Sequence, residues 1–147
     1  MTRDDLIILY RQQGMSWPLL LAQGFVESRL DPQAVSGAGC QGIAQFAPAT
    51  WQDCIARGWA SDGSSPFDPL VTIPAQARYM AWLQERFPSK SIRQALASYN
   101  WGLGNVQRML RIHGEQWEAK IPVETICYIR QVQTLAEWIG EQKLEVV

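Results

Sequence analysis

Apolar residues recur at helical spacing along almost the whole chain of 147 residues. Strict alternation of apolar and polar residues never extends past four positions, so few strands are expected. Prolines and glycines divide the helical pattern into short segments. The sequence therefore predicts a mainly α-helical fold with helices over residues 2–13, 16–30, 48–57, 69–87, 91–100, 105–113 and 121–142.

The boundaries of these helices carry recognisable signals. Ser16 is a favourable N-cap, and Pro18 stands in the first turn, where its missing N–H costs nothing. The pair Asp31-Pro32 ends the second helix, because the residue before a proline is pushed out of the helical region. A bend is expected near Pro74 in the fourth helix. The glycine-rich residues 31–45 and the polar residues 61–66 are predicted to be loops.

Size and composition restrict the classes of function. A chain of this length predicts a single domain over residues 1–147, and we expect a monomer. A hydrophobic fraction of 47% with 18% charged residues is typical of a globular protein. The net charge of −1 gives no basic surface for nucleic acid. The absence of any run of eighteen apolar residues predicts no membrane span.

Cysteine, histidine and tryptophan usage bears on metals and on the core. Three cysteines and one histidine are too few and too dispersed for a zinc site, so no metal or cofactor is expected. We expect all three cysteines to be buried thiols, and Trp51, Trp59 and Trp117 to belong mostly to the core. The acidic N-terminus, Asp4-Asp5, stands where a signal peptide would be basic, which predicts no export by that route.

Glu27 is the candidate for chemistry, because its helix is otherwise apolar. Burial would raise the pKa of such a carboxyl group and let it donate a proton to a glycosidic oxygen. The alternative is a glutamate that points to water or pairs with Arg29 or Arg3. The nearest second carboxylate is Asp31, but Pro32 favours a loop-capping role for it. A single acid would require the substrate to supply its own nucleophile.

Three motifs follow one another between residues 27 and 132. The first contains Glu27-Ser28, Ser36-Gly37, Gly39, Gly42-Ile43, Gln45 and Pro48; the second contains Tyr99-Asn100 and Gly102; the third contains Pro122, Glu124-Thr125, Tyr128-Ile129 and Val132. In these motifs and in their order, the chain resembles the soluble-lytic-transglycosylase-like (SLT) family of the goose-type lysozyme superfamily.

The resemblance implies a lysozyme-like fold with a substrate groove and a peptidoglycan substrate. The implied reaction cleaves the β-1,4 bond between N-acetylmuramic acid and N-acetylglucosamine and leaves a 1,6-anhydromuramyl end. Glu27 would protonate the leaving oxygen and then accept the proton of the muramyl 6-hydroxyl, with help from the 2-acetamido group. Such substrate assistance needs no second carboxylate.

The resemblance also implies substrate-binding residues. They are Ser36, Gln45, Tyr99, Asn100 and Glu124. Each also has an ordinary structural interpretation. Ser36 can be a turn serine, Gln45 a polar residue at a helix end, Tyr99 a buried tyrosine whose hydroxyl needs a partner, with Asn100 beside it, and Glu124 a solvated acid in the first turn of a helix. The chain departs from the usual pattern at Cys40, Ala44 and Trp101, which affects subsite affinity rather than the reaction.

Two other functions remain open at this point. A muramidase that uses water would need a second acid, for which Asp31, Asp62 and Asp68 are candidates. A wall-binding module without turnover would keep the groove but not the chemistry. Because the substrate lies outside the cytoplasmic membrane, we expect action at the cell wall, with phage lysis favoured over a virion component or a secretion-system protein.

Overall fold

The computed structural model describes residues 1–142, and most of them are helical. Seven α-helices and one 3₁₀ helix follow one another in this part of the chain. They are α1 (Arg3–Arg11), α2 (Trp17–Ser28), α3 (Pro48–Ala56), α4 (Pro69–Glu85), α5 (Ile92–Trp101), α6 (Leu103–His113), the 3₁₀ helix (Gly114–Lys120) and α7 (Val123–Glu141). All seven predicted helices are therefore confirmed, while the 3₁₀ helix was not predicted.

The helix ends follow local chemistry. The side chain of Thr2 accepts a hydrogen bond from the Asp5 amide, and the Asp5 carboxylate accepts one from the Thr2 amide, which makes a capping box. At the start of α5, the Ser91 side chain accepts a hydrogen bond from the Gln94 amide. Ser16 occupies the N-cap position of α2, but its side chain makes no capping bond. Helix α4 continues through Pro74.

Helix α2 ends two residues earlier than predicted, and the backbone explains why. Arg29 and Leu30 both adopt left-handed conformations, with φ values of 55° and 61°. Their amides bond back to the carbonyl groups of Phe25 and Gly24, which satisfies the last turn of the helix. The chain therefore turns sharply just after Glu27 and Ser28.

The described residues form two compact units. The first contains residues 1–79 and 132–142, and the second contains residues 80–131. In the first unit, α1 packs against α2, and the loop between α2 and α3 holds only isolated β-bridges, from Gln41 to Val35 and to Phe46. In the second unit, α6 packs against α5 and the 3₁₀ helix. The prediction of one domain over residues 1–147 stays a prediction.

Both units contain buried apolar side chains. The largest ones of the first unit include Tyr10, Ile43, Phe46, Trp51 and Ile73. Those of the second unit include Leu83, Leu96, Val106, Trp117 and Ile129. The core assignment of Trp51 and Trp117 is thus confirmed, whereas Trp59 is only half-buried.

The prediction that all three cysteines are buried is wrong for two of them. Cys54 is buried, and this burial raises the pKa of its thiol to about 11. Cys40 is half-buried in the loop after α2, and Cys127 is exposed. Cys127 lies on α7 three residues from both Glu124 and Arg130, which are also exposed, so it belongs to the solvent-facing stripe of that helix.

Candidate active site

Glu27 lies in the last turn of α2 and is half-buried. No other residue of α2 carries a charge. The fully buried hydroxyl of Tyr10, on α1, interacts electrostatically with this carboxyl group. Burial, and then the charge of Glu27, raise the pKa of Tyr10, so its hydroxyl stays protonated. The structure therefore gives Glu27 the partly desolvated setting that a proton donor requires.

A buried chain of neutral polar side chains lies beside this turn. The Tyr10 hydroxyl donates to Gln76 Oε1 over 2.7 Å, and Gln76 Nε2 donates to Gln23 Oε1 over 2.8 Å. Gln76 Nε2 also donates to the carbonyl oxygen of Leu20 over 3.1 Å. These hydrogen bonds between Tyr10, Gln76 and Gln23 were not predicted from the sequence. The two glutamines on the apolar faces of α2 and α4 were a signal that could have indicated them.

Ser28 connects the end of α2 to the following loop. Its hydroxyl donates to the carbonyl oxygen of Ile43 over 2.8 Å and lies 3.1 Å from that of Gly24. The Ser28 hydroxyl oxygen also accepts a hydrogen bond from the Asp31 amide over 3.2 Å. The residue next to Glu27 therefore fixes the loop that carries the first motif to the helix that carries the carboxyl group.

Asp31 has the loop-capping role that was predicted from the proline that follows it. Its side chain is exposed, and Oδ1 accepts a hydrogen bond from the Gln33 amide over 2.9 Å. This is an Asx turn that starts the loop after α2. Asp31 is therefore engaged with its own backbone.

Ser36 and Gln45 both stabilise this loop through their side chains. The exposed Ser36 accepts the Cys40 amide at Oγ over 3.0 Å. Gln45 has a positive φ of 55°, and its Nε2 donates to the carbonyl oxygens of Gly42 and Ala34 over 2.9 and 3.2 Å. Because both hydrogens of that amide are used, Oε1 is the atom that Gln45 has left for a ligand.

The second unit holds the other predicted site residues. Tyr99 is half-buried on α5, and Asn100 is exposed beside it. The buried Thr125 donates from Oγ1 to Asn100 Oδ1 over 2.9 Å, which fixes the asparagine amide with its NH₂ group directed away from Thr125. Glu124 is exposed in the first turn of α7. Thr125 is part of the third sequence motif, but no role was predicted for it.

A family model described as the transglycosylase SLT domain matches residues 7–122. The chain belongs to this family. The match includes residues of both compact units, and it contains Glu27, Ser36, Gln45, Tyr99 and Asn100. Glu124 lies just beyond its end.

Two relatives of this SLT chain illustrate the similarity. It is 26% identical over 170 residues to membrane-bound lytic murein transglycosylase F of Pseudomonas fluorescens, covering 92% of this chain and 34% of that protein. It is 37% identical over 107 residues to membrane-bound lytic murein transglycosylase F 1 of Alkalilimnicola ehrlichii, covering 69% of this chain and 20% of that protein. The chain thus spans about a third or less of the length of these relatives.

Two solved structures share the fold. The 70 kDa soluble lytic transglycosylase from Escherichia coli aligns with a TM-score of 0.77 at 23% identity, over 92% of this chain and 23% of that one. An inactive glutamate-to-glutamine mutant of the lytic transglycosylase Slt from Pseudomonas aeruginosa aligns with a TM-score of 0.79 at 24% identity, over 93% and 23%. The predicted mainly α, lysozyme-like fold is confirmed.

Residues 1–142 contain neither a candidate metal cluster nor a candidate membrane-spanning helix. Within this range, no cluster of three or more histidine, cysteine or acidic side chains is arranged to hold a metal ion. Nor does any helix of the range combine the length and apolarity that crossing a bilayer demands.

Proposed function

We propose that this SLT domain is a peptidoglycan lytic transglycosylase that cleaves the bond between N-acetylmuramic acid and N-acetylglucosamine and leaves a 1,6-anhydromuramyl end. The observation that carries the proposal is that Glu27 is half-buried and is the sole charged residue of α2. The resemblance of the surrounding motif to the family implies that this glutamate is the acid. The relatives' names, which describe murein transglycosylases, support the same reaction class.

The proposed reaction uses one carboxyl group twice. Protonated Glu27 transfers its hydrogen to the glycosidic oxygen, the bond from that oxygen to the muramyl C1 breaks, and the N-acetylglucosamine end leaves with a free 4-hydroxyl. The muramyl 6-hydroxyl then bonds to C1 and gives its proton to the Glu27 carboxylate. Glu27 ends as it began and no water is consumed, which is the substrate-assisted exception to the two-carboxylate rule.

The remaining site residues are proposed to bind the glycan. In the first unit, Ser36 and the free Oε1 of Gln45 are the groups that this proposal assigns to the sugar. In the second unit it assigns Tyr99, Asn100 and Glu124. The fixed orientation of Asn100 supports its part, because the amide is held with its donors available.

The nature of the product tests the proposal. Purified peptidoglycan sacculi digested with the protein should release muropeptides that end in anhydromuramic acid, each lighter by one water than a hydrolysed end. Mass spectrometry of the soluble fraction distinguishes the two products directly. Reducing muramyl ends as the main product would instead identify a water-using muramidase and would contradict the proposal.

The structure gives the water-using alternative less support. Asp31, Asp62 and Asp68 are all exposed. Asp31 and Asp68 each accept a hydrogen bond from a nearby backbone amide, of Gln33 and Leu70 respectively. A base that activates water should instead be free to face the sugar opposite the acid.

Thr125 provides a prediction about the second unit. Changing Thr125 to valine keeps the volume but removes the donor to Asn100, so the amide loses its fixed orientation. We expect kcat/KM on sacculi to fall about fivefold, the equivalent of roughly 1 kcal/mol for one hydrogen bond. Thr134→Val, at an exposed position of the same helix, is the control and should leave cleavage unchanged. Equal rates for both variants would remove Asn100 from the binding residues.

The site of action follows from the substrate. We propose that the protein acts at the cell wall, and that its finer role is bacterial lysis of the kind a phage endolysin performs. When the protein is added to a suspension of Gram-negative cells whose outer membrane has been permeabilised, the turbidity of the suspension should fall. We propose that the protein acts as a monomer. Intact turbidity under conditions where purified sacculi are cleaved would count against the lytic role.

A further inference from the structure

The buried polar chain of Tyr10, Gln76 and Gln23 has a fixed direction. All three side chains show 0% exposure, so water cannot satisfy their polar atoms. The carbonyl oxygen of Leu20 determines the direction, because a main-chain carbonyl can only accept a hydrogen bond. The atom of Gln76 that faces Leu20 must therefore be Nε2, and its Oε1 must face the Tyr10 hydroxyl.

The same logic fixes Gln23. Its amide atom beside Gln76 Nε2 has to accept, so that atom is Oε1, at 2.8 Å. The NH₂ group of Gln23 then stands at the other end of the amide, with two hydrogens to donate. The chain of bonds thus presents a donor whose orientation is set, through Gln76, by the backbone of α2 itself.

Helix geometry brings that donor to Glu27. Gln23 and Glu27 are four residues apart, so they are neighbours on one face of α2. Helical side chains lean towards the N-terminus, which carries the Glu27 carboxyl group back over the turn that contains Gln23 and Gly24. The Tyr10 hydroxyl lies at the same turn, because a methyl group added at Gly24 would collide with it.

We infer that Gln23 donates a hydrogen bond from Nε2 to the Glu27 carboxylate, and that Gln76 holds this donor in place. Gln23 and Gln76 are then positioning residues for the acid–base group. The inference rests on the proposed role of Glu27. A donor to a carboxylate stabilises its charged form. The charged form is the state that Glu27 reaches midway through the reaction, so the bond offsets part of the cost of burying that charge.

The charged and titratable groups around Glu27 define what a pH profile reports. Tyr10, on α1, stays neutral because burial and the Glu27 charge raise its pKa. From α4 comes the neutral Gln76, and the charged residues that follow α2, Arg29 and Asp31, are exposed. The alkaline limb of activity therefore reports loss of the Glu27 proton.

The test is Gln23→Met, which keeps an unbranched side chain of similar length and removes the donor. The pKa of Glu27, followed by NMR of its side-chain carboxyl carbon, should rise by about one unit, in line with a hydrogen bond to a charged group. Because Glu27 must start protonated, the alkaline limb of kcat/KM should move to higher pH by the same amount. Gln13→Met, which loses only a bond to the Leu9 carbonyl, is the matched control and should cause no shift.

Two further variants keep the inference falsifiable. Tyr10→Phe removes a hydroxyl whose hydrogen is already used by Gln76, so it should lower the thermal midpoint yet shift the Glu27 pKa less than Gln23→Met does. If Gln23→Met does not fold, Gln76→Met replaces it, with a smaller upward shift expected. Two results would overturn the inference. One is an unchanged Glu27 pKa in whichever of Gln23→Met and Gln76→Met folds, and the other is a larger shift of that pKa in Tyr10→Phe than in Gln23→Met. The NMR readout needs no substrate, so its failure is distinct from a failure of the unmodified protein to cleave sacculi.

Discussion

Replacing Glu27 with glutamine is expected to reduce the cleavage of purified sacculi by about 10²–10⁴-fold or more, the usual contribution of a general acid–base residue. The amide has nearly the same shape but cannot supply a proton to the glycosidic oxygen or take one from the 6-hydroxyl. Release of soluble muropeptides measures the rate. The thermal midpoint measured beside it checks that the half-buried side chain has been replaced without loss of the fold.

Asp31→Asn is the matched control for this experiment. Asparagine keeps the Oδ1 atom that accepts the Gln33 amide, so the loop after α2 should be unchanged while one carboxylate is lost. Full activity is expected. If Asp31→Asn is as inactive as Glu27→Gln, the enzyme uses two carboxyl groups and the water-using mechanism replaces the proposed one. If Glu27→Gln cleaves at the unmodified rate, Glu27 is not the acid.

The helices were predictable because they are encoded locally. A period of 3.6 residues, with proline or serine near several of the starts, located α1 to α7 to within a few residues. The end of α2 was harder to predict. Its left-handed residues are Arg29 and Leu30, residue types that rarely adopt positive φ, and hydrogen bonds to the carbonyl groups of Phe25 and Gly24 help to stabilise them there. The 3₁₀ helix of residues 114–120 carries no distinctive period, so the sequence did not predict it.

The charged residue of the candidate site could be predicted from the sequence, whereas the hydrogen bonds between its neutral side chains could not. Glu27 stood out because a carboxylate is expensive on an apolar helix. Gln76 and Gln23 are separated by 53 residues, and Tyr10 and Gln76 by 66, so no local pattern links them. Ser28 reaches Ile43 across the loop in the same way. Such pairs become visible only when the packing of α1, α2 and α4 is known.

Gly42→Ala is expected to have the largest effect on stability, because two costs coincide at this position. Gly42 has a φ of 82°, which costs an L-residue about 1–2 kcal/mol. A methyl group there would also collide with the carbonyl oxygen of Pro66. That oxygen accepts the Thr72 hydroxyl over 2.8 Å, so it cannot move away freely. With about 1–3 kcal/mol for the overpacking, the free energy of unfolding should fall by roughly 2–5 kcal/mol, as measured by urea denaturation.

Two glycines of the same loop separate these costs. Gly39 also has a positive φ, of 87°, but an added methyl group would meet no atom within 4 Å, so Gly39→Ala should cost only the backbone share, about 1–2 kcal/mol. Gly37 has neither constraint, and Gly37→Ala should stay within roughly 0.5 kcal/mol of the unmodified protein. The motif thus needs glycine at these positions to different degrees and for different reasons. Equal losses at Gly42 and Gly39 would mean that the contact with Pro66 adds nothing, and that the loop yields to the added methyl group.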